Sequence, residues 1–470
     1  MSAVTRTKNI LKTLFFYKSA LAGSIILLLI IGFAVYTVVT YPYDLAVKHW
    51  RAGEKIWLDN PRYALPEWIT IFTGGNPPRT IILSTTAESR NVKKIIVPVS
   101  ENMSYIRIDM TFDYQYDDYP SEINIFFNAT FQELSPKLDI VWIKPDGENV
   151  TLKSKVLNKE DRYYISADLE TKNLLAKIVQ EKFGLNETPY ILPERYLFSP
   201  LDESILDPNA VNVLKGVYTL RITGYLYENA SDVDVKLVVY GKVYGWAGTD
   251  NLRRPISIAI MWGTPIALSF GVTAAVTIGL IQMIIAAISA WYGGFVDDLI
   301  QRITDINLIL PFFPILLMIS IFYKFDIWIL LLIVIALSVF GSGVKNYRAL
   351  FLQLKESPYV EAALSYGASN FRIIFRYLVP KILPMIIPGI VLSVADFVFL
   401  EAALAVLGLG DPNAPTWGKV INDALVDGAL YKGLYYWVLE PAVLLVLTAI
   451  AFSLIGFTLE KIFNPRLREM

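Results

Sequence analysis

Cysteine is absent from this 470-residue chain, histidine occurs once, at His49, and charged residues make up only 18% of it. Without cysteine there are no disulfides, no thiolate nucleophiles and no Cys/His zinc sites, and no catalytic triad can use any imidazole but that of His49. The lack of thiols leaves the redox compartment open, since such a chain is at home in either one. An average soluble domain is about a quarter charged; with a mean hydropathy of +0.45 this chain does not read as an ordinary cytosolic enzyme. Its 42 basic and 43 acidic residues give a net charge of −1. No positive surplus is left to neutralise a polyphosphate backbone, which argues against nucleic acid as a partner.

The near-neutral total hides a split. Residues 85–246 carry 24 acidic and 18 basic side chains, net −6, and the remainder carries 19 and 24, net +5. Apolar surplus concentrates in the remainder. Ala20–Thr40 holds 21 residues without a charge, enough to cross a hydrocarbon core of about 30 Å and too long for a usual signal-peptide core. Residues 42–84 follow with scattered charges, five prolines and several aromatics, and are expected as irregular backbone at the membrane surface, with His49 chemically idle.

Between 85 and 246 the period changes. Stretches such as YIRIDMTFDY, INIFFNATF and VDVKLVVYGKVYG alternate apolar with polar and are punctuated by Asp-Gly, Pro and Asn, the pattern of an antiparallel β-sandwich. One helix is predicted over Leu169–Phe183, stopped by Gly184. The same block holds five glycosylation-type sequons, at Asn102, Asn128, Asn149, Asn186 and Asn229, and the rest of the chain holds none, which favours an outside location.

From Ile256 to Val296 no Asp, Glu, Lys or Arg occurs. That is longer than one crossing needs, so residues 256–265 are expected along the interface and a span over 266–292. Further spans are predicted over 306–323, 327–344, 382–407 and 437–458, six in all. Lys and Arg number four in the N-terminal arm, one in the 293–305 loop, six in the 345–381 loop and three in the C-terminal tail. Only Lys324, Lys419 and Lys432 fall in the short loops opposite. The positive-inside rule therefore puts both termini in the cytoplasm and the 42–256 region largely outside, in agreement with the sequons.

Within the longest inside loop, Pro358 suits a first helical turn, Glu361 lies where the helix dipole favours a carboxylate, and Gly367 ends the helix before Phe371–Leu378 resumes. Two short helices at an angle are predicted, which composition alone fits equally to a solvated linker. Glu361-Ala362-Ala363, followed by Gly367 and by Pro380 thirteen residues on, resembles the EAA loop of ABC importer membrane subunits, although Tyr377 and Val379 depart from its tail. Three more stretches narrow the resemblance to the C-type permease of dipeptide, oligopeptide and nickel importers. SAWYGGFVD, with Gly293, Gly294 and Asp297, resembles AGYYGGWVD. The stretch from Glu401 through Gly408 and Gly410 to PTWG, with Trp417 and Gly418, resembles EaaLSFLGLG…PSWG, and NPRLR, with Pro465 and Arg466, resembles DPRLR. Gly248-Thr249-Asp250 resembles the start of GTDxxGRD, with Arg253 and Pro255 in place of its second Gly and final Asp.

The resemblance covers roughly 248–470 plus the first helix. It implies a polytopic all-α membrane protein of the type I ABC importer permease fold with six transmembrane helices, here carrying an inserted extracellular β-sandwich-like domain. The expected divisions are an arm over 1–19, a first transmembrane helix over 20–41, a juxtamembrane segment over 42–84, the β domain over 85–246 and a permease core over 247–470 with a coupling loop at 345–381. By the same resemblance Glu361, Ala362 and Ala363 form the docking surface for an ATPase subunit and Gly367 supplies the turn. The implied partners are a homologous permease, two ATP-binding subunits, an extracellular solute-binding protein and membrane lipid. No G-x-x-x-x-G-K-[ST] occurs in the chain, so ATP and Mg are expected on partner subunits, with no cofactor, metal site or catalytic residue in this one. Asp396 and Glu401 lie inside the fifth predicted span, where a carboxylate marks a translocation path or a structural pair. Peptides lead as cargo, and relatives of the family also carry oligosaccharides or metal chelates. An ATP-independent carrier and a membrane-anchored surface sensor are the readings from other classes. Five sequons, no cysteine and one histidine are compatible with an archaeal cell surface.

Overall fold

A computed structural model describes residues 16–87, 90–323 and 325–463. The chain folds as two compact units, one spanning Gly53–Pro255 and the other formed by the residues up to Ala52 together with those from Ile256 on.

The membrane unit begins with α1, Lys18–Thr40, apolar all round, and α2, Tyr43–Arg51, which buries Ala46 and Trp50. The 42–84 stretch expected to be irregular is therefore divided. Its first part is this amphipathic helix, and its end already belongs to the β unit.

Among the described residues the β unit holds nine antiparallel strands in two sheets. These are β1 (Ile81–Ser84), β2 (Val92–Ser100), β3 (Met103–Tyr114), β4 (Glu122–Thr130), β5 (Lys137–Ile143), β6 (Asn149–Val156), β7 (Glu160–Tyr164), β8 (Gly216–Leu226) and β9 (Asp232–Tyr240), in sheet orders β1-β9-β4-β7 and β2-β3-β8-β5-β6. The inward residues of β3 and β4, such as Ile106, Ile108, Ile123 and Ile125, share one core with Trp142, Phe112, Tyr218 and Phe198. Their side chains alternate across the pleat, so a strict period of two sends every second residue inward. Between β7 and β8 lie α3, Leu169–Phe183, and α4, Pro193–Phe198. The α3 helix occupies the predicted range because Asp168 accepts a hydrogen bond from the Thr171 N–H at its start and Gly184, at φ +62, ends it.

The chain returns to the membrane unit in α5, Ser257–Tyr292, a 36-residue helix. Residues 257–265 thus belong to the same helix as the predicted span, which runs on through Pro265. Packing holds them there: Trp262 donates its indole N–H to the Tyr41 carbonyl at 3.0 Å, and its ring centroid lies 4.9 Å from that of Tyr43. Next come α6 (Gly294–Ile309) with α7 (Phe312–Phe322), bent by 72°, and α8 (Ile327–Ser338) with α9 (Ser342–Lys355), bent by 49°. Pro311 explains the first bend, since it lacks a helical donor and forces Leu310 into extended backbone at ψ 131. The two middle spans, predicted as continuous, are therefore broken. After α10 (Pro358–Ser365) come α11 (Val379–Val406), α12 (Trp417–Val426) and α13 (Tyr436–Phe463). Among the described residues four helices are long and apolar enough to cross a membrane, and up to six spans result if each bent pair counts as one.

Candidate functional site

The α10 element is built from local rules. Pro358 occupies its first turn after an extended Ser357, and Glu361 lies in that turn, where the helix dipole favours a carboxylate. Gly367 sits at φ +73; its N–H donates to the Leu364 carbonyl at 2.9 Å and the Ala368 N–H to the Ala363 carbonyl at 3.0 Å. These two bonds make a Schellman end, which needs the left-handed conformation glycine adopts freely. Ser369 starts the next helical segment, where Phe371 and Phe375 pack with ring centroids 4.5 Å apart. A π-helical turn over Ile373–Leu378 leads into α11, with exposed Pro380 at its start. Proline crowds the carbonyl four residues back, and the widened turn lies there.

Glu361 and Ala362 are exposed, as are Leu364 and Tyr366, the last at 91%. Ala363 is not: like Val360, which shares a core with Ile373 and Ile374, it is buried. The expectation that Ala363 contributes to an outward docking surface is corrected accordingly. Its small side chain serves packing within the chain.

The helix leading into this element is anchored to the α5–α6 corner. Gly293 and Gly294, at φ +61 and +50, make the corner. Asp297 then meets Arg348 of α9 in a two-pronged ion pair, Nε to Oδ1 at 2.6 Å and Nη2 to Oδ2, and it also accepts from the Ser289 hydroxyl. Lys355, at the end of α9, donates to the Ala290 and Trp291 carbonyls at 3.0 and 2.8 Å, satisfying the open end of α5. Sequence reasoning singled out Asp297 and missed Arg348 and Lys355, whose partners lie more than fifty positions away.

The GLG…PTWG stretch is a packing knot. Trp417 is fully buried and donates to the Ile260 carbonyl at 3.1 Å. Gly418 lies so close to α11 that a Cβ there would meet Ala405 Cβ at 2.6 Å and the Ala402 carbonyl at 2.7 Å. Gly410 is similarly pressed on Ala405. Gly408 turns the chain at φ +76. Glu401 is 2% exposed and takes a hydrogen bond from the Thr416 hydroxyl, which caps α12. Asp396, by contrast, is exposed on α11. Five residues apart, the two carboxylates point roughly 140° apart around the helix, so they do not form one site.

The broken spans line an open cavity of about 470 Å³ among α5, α6, α8, α9 and α11, in which Gln282, Asn307, Asn346 and Ser393 supply polar groups. Gln282 donates to the Ser338 carbonyl at 2.7 Å and Asn307 to the Leu337 carbonyl at 3.0 Å. Carbonyls left open where α8 ends are thus satisfied by side chains, as irregular backbone at membrane depth requires. Gln282 carries the one sequence signal, an amide in the middle of a charge-free span.

All five sequon asparagines are exposed on the β unit. Pro465 and Arg466, the basic residues of the arm before Lys18, and Lys324 lie outside the described residues.

By length and composition, four long apolar helices and two bent pairs among the described residues fit a multi-pass membrane protein. Residues 279–469 match the family described as binding-protein-dependent transport system inner membrane component. The chain is 32% identical over 228 residues to the oligopeptide transport system permease protein OppC of Bacillus subtilis, which covers 48% of this chain and 72% of that one. It is equally similar, 32% over 228 residues, to the dipeptide transport system permease protein DppC of the same organism, covering 48% and 69%. This chain belongs to that family of permease subunits.

Proposed function

We propose that the chain is one of two homologous permeases in an ATP-driven importer of di- and oligopeptides delivered by an external solute-binding protein. The carrying observation is the α10 element: an exposed Glu361–Ala362 face, closed by a glycine-dependent turn and anchored through Arg348 and Lys355, in a chain of the permease family. An ATPase subunit docks on that face, and its nucleotide-driven motion is passed to α9 and α11. Hydrolysis belongs to two such subunits; this chain moves cargo. The cargo class follows from the relatives, whose names specify oligopeptide and dipeptide transport. Nothing in the fold or among the relatives favours an oligosaccharide.

Six spans, counting each bent pair once, put both termini in the cytoplasm and the β unit outside, a sidedness supported by the distribution of Lys and Arg and by the exposed sequons. The β unit is then the natural surface for the binding protein. Asp396, exposed on α11, is the candidate for the translocation path.

The test is reconstitution of the chain with its companion permease, ATPase subunits and binding protein in liposomes. Uptake of a labelled tripeptide should require ATP, the binding protein and an intact Glu361–Gly367 element. Uptake without ATP, or failure of the ATPase subunits to co-purify, would overturn the proposal.

A further inference from the structure

The β unit contains a cavity of about 540 Å³ that no role above uses, a volume in the usual range of small-ligand sites. Its charged lining is Arg62, Glu122, Lys172, Glu194 and Arg253. Arg253 is fixed in the wall: its Nη2 lies 2.5 Å from a Glu122 oxygen, its Nη1 donates to the Asn60 carbonyl at 2.7 Å, and the guanidinium stands 4.3 Å over the Tyr240 ring. It holds that place at φ +63, a conformation a residue with a side chain adopts only at a cost. Side-chain-bearing residues in such strain cluster at ligand sites.

The remaining charges are arranged differently. Lys172 of α3 and Glu194 of α4 act on each other electrostatically but form no ion pair among the described residues. Glu194 is 7% exposed, and burial pushes its carboxyl up despite bonds from the Ser166 hydroxyl and its own backbone N–H. A buried carboxyl across a cavity from an uncommitted ammonium is a costly arrangement when nothing bridges the two. It complements a molecule with a cationic and an anionic end. Asn124, whose buried side-chain nitrogen has no partner among the described residues, lines the same cavity and can donate to a peptide carbonyl, and Tyr164 and Leu192 add an apolar wall.

We propose that this cavity binds a short zwitterionic peptide, its ammonium group on Glu194 and its carboxylate on Lys172. The inference rests on the peptide-import reading for its choice of ligand and adds a capture site on the β unit.

The test titrates the purified full-length chain in lipid nanodiscs with trialanine by calorimetry. Trialanine should bind, and Glu194→Gln and Lys172→Ala should each weaken it at least tenfold, with Lys172→Arg retaining most of the affinity as evidence that the fold is intact. N-acetyl-trialanine should bind weakly and be indifferent to Glu194→Gln; trialanine amide should bind weakly and be indifferent to Lys172→Ala. Parent-like binding by both variants, full-strength binding of either blocked peptide, or competition by inorganic phosphate at comparable concentration would overturn the proposal. Trialanine uptake by the complete transporter is followed separately. Uptake without the predicted binding sinks this site and leaves peptide import standing; binding without uptake does the reverse.

Discussion

Replacing Gly367 separates backbone geometry from charge at the proposed docking element. A Cβ built at this position meets nothing within 4 Å, so alanine is not penalised by packing inside the chain. What remains is conformation. At φ +73 the left-handed backbone costs alanine about 1 kcal/mol, and asparagine, which bonds locally to its own backbone, roughly half of that. If docking requires the Schellman end, these energies pass into affinity: about fivefold weaker for Gly367→Ala and about twofold for Gly367→Asn. Aspartate matches asparagine in shape. It adds a carboxylate at the negative end of α10, worth about 0.5 kcal/mol on its own and several kcal/mol once a docked interface buries it without a partner. Gly367→Asp should therefore abolish ATPase association while membrane insertion stays normal. The assay is pull-down of the ATPase subunit at graded concentrations by solubilised permease variants, with insertion followed by protease accessibility. An alanine variant equal to the parent, an asparagine variant worse than alanine, or an aspartate variant that pulls down normally would refute the reasoning.

Gly343→Ala would place a Cβ 1.9 Å from the Gln282 Oε1, so the amide must leave the Ser338 carbonyl; a loss of about 1–3 kcal/mol is expected in thermal unfolding. Adding Gln282→Ala should cost less than the two single losses combined, and simple additivity would show that the two do not share a contact. Arg348→Ala leaves the Asp297 carboxylate, whose side chain is 13% exposed, without its two-pronged partner and should cost about 2 kcal/mol after allowance for solvent at the arginine. Arg348→Lys should fall between, because an ammonium cannot reproduce the fork, and a lysine variant as stable as the parent would count against the bidentate geometry. In the β unit, backbone N–H groups of Gln132, Leu134 and Glu133 hold the Glu228 carboxyl below its ordinary 4.5. The stabilisation is thus fully present above that value and lost as pH falls through the lower folded one. Glu228→Gln should speed hydrogen exchange at residues 132–134 near neutral pH, and a difference that persists in strong acid would contradict this account.

How much of this could be read from the chain depends on how far each cause lies from its effect. The sandwich strands were legible because alternation is a local consequence of one buried face, and α3 because its cap at Asp168 and stop at Gly184 adjoin it. The bends were not. Ile327–Val344 reads as one uninterrupted apolar run, yet α8 stops at Ser338 where Gln282 and Asn307, 56 and 30 positions away, take its last carbonyls. Likewise Asp297 was visible as a motif residue, whereas its partner 51 positions on became visible only in the fold. Pro311 marked the first break, but the 72° bend depends on what packs on either side.

Ala363 is a different kind of case, because helix geometry alone bears on it. Successive residues on an α-helix are about 100° apart, so three in a row sweep roughly 200° and cannot all meet one flat partner. With Val360 three residues earlier already facing the core, Ala363 falls on the same inward stripe, and Glu361 and Ala362 are left outside. On the proposed docking reading, the Glu-Ala-Ala run divides between two tasks. Enlarging Ala362 to leucine should weaken ATPase pull-down with little effect on melting of the permease. The same change at Ala363, which is 6% exposed, should lower the melting temperature first and affect docking only through displacement of α10. If both variants melt like the parent and both lose the ATPase to the same degree, Ala363 faces outward and the inward stripe is wrong.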